Sequence, residues 1–176
     1  MNVLAIDTAT PYLVLGTLSS ELTLLRGRRH AETIFADIDA FLGRVKLIKQ
    51  DLELIVVGEG PGSYTGLRIG AAAGMGIARA LGIPLVGAAT LAAVAGRGRG
   101  LVRAAISARS DHVYTALYKV SDGDLVELSN PQKIEFADLP ADACLMLNQP
   151  PSGKILAALG VSAFQSGTKE IKSIYL

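Results

Sequence analysis

Residues 52–57 form an apolar run that leads into Gly58-Glu59-Gly60-Pro61-Gly62-Ser63-Tyr64-Thr65-Gly66-Leu67-Arg68-Ile69-Gly70. From Gly66, small residues recur at every fourth position through Gly70, Gly74, Ala78 and Gly82. The run reads as a buried strand and the ladder as a helix, joined by a glycine loop. A spacing of four places the small residues on one helix face. Each glycine costs about 1 kcal/mol against alanine in a helix interior, so close packing must compensate. Such a segment can cradle a phosphate on its backbone N–H groups. It can equally present a flat face to a packing partner, from this chain or another. The loop lacks the Gly-Lys-Ser/Thr ending of a P-loop and the second glycine pattern of a dinucleotide fingerprint. Ser63 and Thr65 suit the helix start as caps. Arg68, one turn in, opposes the helix dipole, which suggests a specific carboxylate or phosphate partner.

Residues 2–7 are an apolar run ending in Asp7, and 12–19 and 22–27 read as second and third strands of a meander. Ile34, Ile38, Phe41, Leu42 and Val45 fall at helical spacing across residues 31–45. A strand at 52–57, a helix at about 66–81, a strand at 84–88 and a helix at 90–95 follow. The run Gly96-Arg97-Gly98-Arg99-Gly100 is a hinge freed by glycine and solvated by arginine. Strands at 101–107, 112–120 and 125–128 then restart the pattern, with Ala105-Ile106-Ser107 falling on Ala5-Ile6-Asp7. This is a duplicated three-stranded unit. A proline-bearing loop near Asn130-Pro131, a strand at 143–147, a helix at about 154–159 and a strand-like 171–175 complete the chain. Two lobes are expected, residues 2–96 and a reduced 101–176.

A formal net charge of +1 gives no broad field for gripping nucleic acid. The single cysteine, Cys144, excludes an internal disulfide and fits a reducing cytosol. The start of the chain shows no basic leader, and Arg79 and Pro84 interrupt the apolar stretch 69–96, so a cytoplasmic protein without a membrane span is expected. Asp7, with Thr8 and Thr10 behind it, occupies a position suited to holding a metal-bound phosphate. Its alternative role is to satisfy the amides of its own turn. The matching position in the second half is Ser107, which cannot be an anionic metal ligand. His30 and His112 form no metal motif with Cys144, and no base is visible for Ser63 as a nucleophile.

Three segments carry a resemblance: Ala5-Ile6-Asp7-Thr8-Ala9-Thr10, His30-Ala31-Glu32, and Gly60-Pro61-Gly62-Ser63-Tyr64-Thr65-Gly66-Leu67-Arg68. Together with Gly82-Ile83-Pro84-Leu85-Val86-Gly87 they closely resemble the bacterial TsaB family, also called YeaZ, and the likeness continues loosely through Asp111-His112-Val113-Tyr114. The resemblance implies an α/β fold of the actin-like ATPase, sugar-kinase and heat-shock-chaperone superfamily, with two ribonuclease-H-like lobes, the second reduced. It implies a non-catalytic role in making threonylcarbamoyladenosine in tRNA, next to the anticodon. The implied partners are TsaD, which carries the catalytic metal site, TsaE, and a second copy of the chain, with tRNA held by the complex. No cofactor is required, although weak ATP or ADP binding is conceivable in the complex. Pairing is expected through the two helices of the first lobe, at Ile34, Ile38, Gly66, Leu67, Arg68, Gly70, Ala71, Gly74, Met75 and Ala78. Asp7, Thr8 and Thr10 would be a vestigial nucleotide site. The chain departs from the family at Ser107, where an aspartate is usual, and in its short second lobe. An ATP-dependent phosphotransferase of the same fold is the alternative, and a glycoprotease-like peptidase a more distant one.

Overall fold

The computed structural model describes residues 1–27, 29–122 and 124–167. The first sheet has the order β3-β2-β1-β4-β5. It is built from β1 (Val3–Asp7), β2 (Tyr12–Gly16), β3 (Glu21–Leu25), β4 (Leu54–Gly58) and β5 (Leu85–Ala88). The first three strands are an antiparallel meander, and β4 and β5 join in parallel. Parallel pairing requires crossovers, which α1 (His30–Arg44) and α2 (Tyr64–Leu81) provide. β1 and β4 are buried throughout, as strands covered on both faces must be. Leu4, Ile6, Ile55 and Val57 point to the α1/α2 side. Val3, Ala5, Leu54 and Val56 point the other way.

The second sheet repeats the plan. β6 (Gly100–Ser107) pairs antiparallel with β7 (His112–Ser121), and β10 (Cys144–Leu147) lies parallel to β6 as β4 does to β1. The third strand comes in two pieces on β7: β8 (Asp124–Glu127) against its end and β9 (Gln132–Glu135) against its start. The expected strand at 125–128 is therefore half of the element. Asn130-Pro131 divides the two pieces, because proline cannot donate to the ladder.

The helices cross between sheets. α3 (Thr90–Ala95) belongs to the first half, yet Leu91, Ala92, Val94 and Ala95 pack on Val102, Ala104, Ile106 and Tyr118 of the second sheet. α4 (Gly153–Gln165) follows the second sheet, yet Leu156 and Ala157 pack on the first. It was expected to be shorter and to sit in the second lobe. Gly160 lies within α4. In the fold it lets the helix approach β4, since a Cβ there would lie 2.2 Å from Val56 Cγ2.

The segment expected to be a solvated hinge is anchored. Arg97 donates to Glu21 Oε1 at 3.0 Å and to the carbonyls of Pro150 and Pro151 at 2.9 and 3.1 Å. The strand-like 171–175 lies outside the described residues.

Candidate functional site

β1 ends in a carboxylate that the fold closes over completely. Asp7 is fully buried. Its Oδ1 accepts from the Ala9 amide at 2.8 Å and its Oδ2 from Thr90 Oγ1 at 2.6 Å. Thr90 Oγ1 in turn accepts from the Gly60 amide at 3.1 Å. A Cβ at residue 58 would lie 2.0 Å from Asp7 Oδ2, so only glycine lets β4 pass there. Burial pushes the Asp7 pKa up, against the opposing pull of the Thr90 and Ala9 hydrogen bonds. Thr8 Oγ1 donates to the Gly66 carbonyl at 2.7 Å. Asp7 and Thr8 therefore tie β1 to the glycine loop, α2 and α3. Of the expected nucleotide-facing set, only Thr10 lines open space.

That space is a cleft of about 1230 Å³ between the lobes. Its first-lobe wall is made by Thr10, Pro11, Tyr12, His30 and the start of α2. Ser63 is the α2 cap, its Oγ accepting from the Gly66 amide at 3.2 Å, while Thr65 lies within the first turn. Ile106, Ser107, Arg109, Tyr114, Lys133 and Asn148 form the opposite wall. Ser107 makes a reciprocal pair with Asn148: its amide donates to Oδ1 at 2.8 Å and its Oγ accepts from Nδ2 at 2.8 Å. The position matching Asp7 is thus neutral and tied to its neighbour.

His30 is 3% exposed. Its Nε2 donates to the Thr10 carbonyl at 3.2 Å, so Nδ1 carries the lone pair, without a partner among the described residues. Burial holds the imidazole pKa below its ordinary value, which favours the neutral form at pH 7. Among the described residues no group of three His, Cys, Asp or Glu side chains could hold a metal ion. No described helix is long and apolar enough to cross a membrane.

The glycine ladder faces inward, which corrects the expected docking stripe. A Cβ at Gly66 would lie 1.9 Å from the Thr8 carbonyl oxygen, one at Gly70 2.4 Å from Thr8 Oγ1, and one at Gly74 2.4 Å from Val57 Cγ1. The ladder lets α2 lie close on β1 and β4. Ile34, Ile38, Leu67 and Ala78 are also buried in the chain's own core. Of the expected partner-facing residues, Arg68, Ala71 and Met75 reach the surface. Arg68 Nη1 donates to the Tyr64 hydroxyl at 3.1 Å, with the guanidinium 5.5 Å from the ring centroid.

Also exposed are Phe35 on α1 and Ala72 and Gly76 on α2, with Phe35 52% and Met75 50% exposed. Spacing by four does not mark Phe35. The usable signal is that it is a large apolar residue off the stripe formed by Ile34, Ile38, Phe41 and Leu42.

A family model described as TsaD, tRNA N6-adenosine threonylcarbamoyltransferase, matches residues 24–169. An uncharacterized protein of Mycobacterium tuberculosis (strain H37Rv) is 35% identical over 165 residues, covering 90% of this chain and 76% of that protein. The tRNA threonylcarbamoyladenosine biosynthesis protein TsaB of Bacillus subtilis is 34% identical over 147 residues, covering 78% of this chain and 64% of its own length. YeaZ from Pseudomonas aeruginosa superposes with a TM-score of 0.85 at 23% identity, over 99% of both chains. The two sheets with exchanged helices have the actin-like ATPase fold with ribonuclease-H-like lobes. The chain belongs to the TsaB (YeaZ) family.

Proposed function

We propose that this chain is a non-catalytic subunit that pairs with a TsaD-type transferase through the outward face of α1 and α2. In the cytoplasm it would activate threonylcarbamoyl transfer to tRNA, with TsaE joining the assembly. The observation that carries this reading is the contrast between two regions. The acid that could serve chemistry, Asp7, is sealed and fully hydrogen-bonded. Phe35 on α1 and Met75 on α2 are exposed, Met75 with Ala72 and Gly76 next to it on its helix. Large apolar side chains set among small ones bury area without steric obstruction, as the centre of an interface requires. The same face suits a second copy of the chain, so self-pairing and TsaD pairing would compete. This role needs no cofactor held by the chain itself, and tRNA would be held by the complex.

The test is a reconstituted modification assay on unmodified tRNA. TsaD and TsaE with this chain should produce modified tRNA, and omission of this chain should abolish the product. The chain alone should turn over neither ATP nor peptide. Full activity of TsaD and TsaE without it would overturn the reading.

A further inference from the structure

α2 carries a second stripe besides the glycine ladder. Tyr64, Arg68, Ala72, Met75 and Arg79 follow one another at intervals of three or four, and all are exposed. That spacing sets them in one row along the helix. The middle of the row, Ala72 and Met75, is apolar. Its arginines, Arg68 and Arg79, stand three turns apart, about 16 Å along the axis. Neither makes an ion pair among the described residues. α2 contains no acidic residue, so neither can pair within its own helix.

Arg68 is held ready for a planar anion. Its Nη1 donates to the Tyr64 hydroxyl at 3.1 Å, and its guanidinium lies 5.5 Å from the ring centroid. One turn into the helix, its charge opposes the dipole, so the helix itself does not account for a cation there. The edge formed by Nε and Nη2 makes no hydrogen bond among the described residues. By that same edge Arg26 holds Asp37 and Arg103 holds Asp142, each through two N–H groups. Such a fork matches a carboxylate in geometry. At Arg68 the fork is open, and the tyrosine already restricts the side chain, which lowers the entropy cost of binding.

We propose that Arg68 is a specificity-determining residue of the docking face: it receives a side-chain carboxylate from a helix of the TsaD-type partner, and a second carboxylate on that helix meets Arg79. This inference rests on the docking reading above. A helix lying along α2 would carry its two acids about eleven residues apart, with small or apolar residues between them to cover Ala72 and Met75. Carboxylates fit the row better than the phosphates of RNA do. A nucleic-acid strand presents charge at short intervals and is met by closely set cations, whereas the middle of this row is apolar and the whole chain carries a net charge of only +1. The pairs fix how the partner lies on α2, because a shifted or reversed helix would leave the guanidinium or the carboxylate unpaired in the interface.

Calorimetric titration of the cognate TsaD with variants of the full chain tests the proposal. Arg68→Ala should weaken the complex about tenfold, the usual loss for a charge-assisted hydrogen bond, and Arg79→Ala about threefold. Arg68→Lys should not restore the affinity, because lysine cannot form the fork. Both side chains are exposed, so melts of the free chain should not change. Arg68→Glu should weaken the complex further. One Asp or Glu of TsaD, each changed in turn to Arg, should then recover it, a rescue that a structural role for Arg68 would not allow. Three results would overturn the proposal: wild-type affinity in both Arg68→Ala and Arg68→Glu; no rescue by any acid of TsaD; or Arg68→Ala abolishing binding of tRNA to the chain alone, which would assign the guanidinium to phosphate. If Phe35→Glu still weakens the complex in the first case, the docking reading stands without this inference. If Phe35→Glu and Met75→Glu also bind as wild type, both fall.

Discussion

Asp7 is held by two hydrogen bonds and opposed by the burial of its charge. Its folded pKa lies above the unfolded value of about 3.9. The folded state therefore keeps the proton to higher pH than the unfolded state does. Stability contributed at this site is present at low pH and falls as pH rises from about 4 through the folded pKa. Asp37 has the opposite sign. The Arg26 hydrogen bond holds its carboxyl below the usual range, so its contribution is present at neutral pH and lost as pH falls below about 4. Urea unfolding across pH should show this difference: Asp7→Asn removes the loss on the alkaline side of pH 4, and an unchanged slope would contradict the assignment. Asp7→Ala should cost about 2–3 kcal/mol, because the Ala9 amide and Thr90 hydroxyl lose their acceptor in a buried site. A strand-end aspartate before two threonines is visible in sequence as a special position. Which way its oxygens point is not, because the closing hydroxyl belongs to Thr90, 83 residues away.

α2 shows how far an element can be read from its spacing. The period of four correctly marks one close-packed face, but period alone cannot say what lies against it. Thr8, just past the end of β1 and 58 residues from Gly66, and Val57, on the strand that leads into the glycine loop, do. Gly70→Leu should therefore destabilise the fold by about 3 kcal/mol or more through overpacking. Phe35→Glu and Met75→Glu, at exposed positions, should leave the melting temperature nearly unchanged. Thermal melts of the three variants separate core from surface; a normal melt for Gly70→Leu would contradict the inward assignment. Ser63→Ala should cost about 1 kcal/mol by removing the cap. The helices and strands of the first half were legible to within a few residues because their apolar residues run together or recur at helical spacing. β9 was not, because Gln132-Lys133-Ile134-Glu135 carries a single apolar residue.

Across the whole molecule, the exchange of α3 and α4 binds the lobes, and Glu21 fastens it. Its carboxylate accepts from Ser152 Oγ at 2.7 Å, the Lys154 amide at 3.2 Å and Arg97 at 3.0 Å. Burial raises its pKa, but the bonds from Ser152 and Lys154 and the Arg97 charge outweigh that and hold it low. Glu21→Ala should cost about 1–3 kcal/mol and raise amide exchange at the start of α4. Unchanged exchange at residues 153–157 would show that the cluster does not hold the helix. The duplication was legible from the restart at residues 101–107. The helix exchange was not, because an amphipathic helix fits either sheet and chain order does not choose between them.

The central claim is that the outward face of α1 and α2, rather than the glycine ladder or Asp7, makes the protein's functional contact. Calorimetric titration of the cognate TsaD with this chain tests it most directly. Phe35→Glu should weaken the complex by about tenfold or more, as truncating a buried apolar anchor does, while Asp7→Asn leaves it intact. Wild-type affinity in both Phe35→Glu and Met75→Glu would contradict the claim.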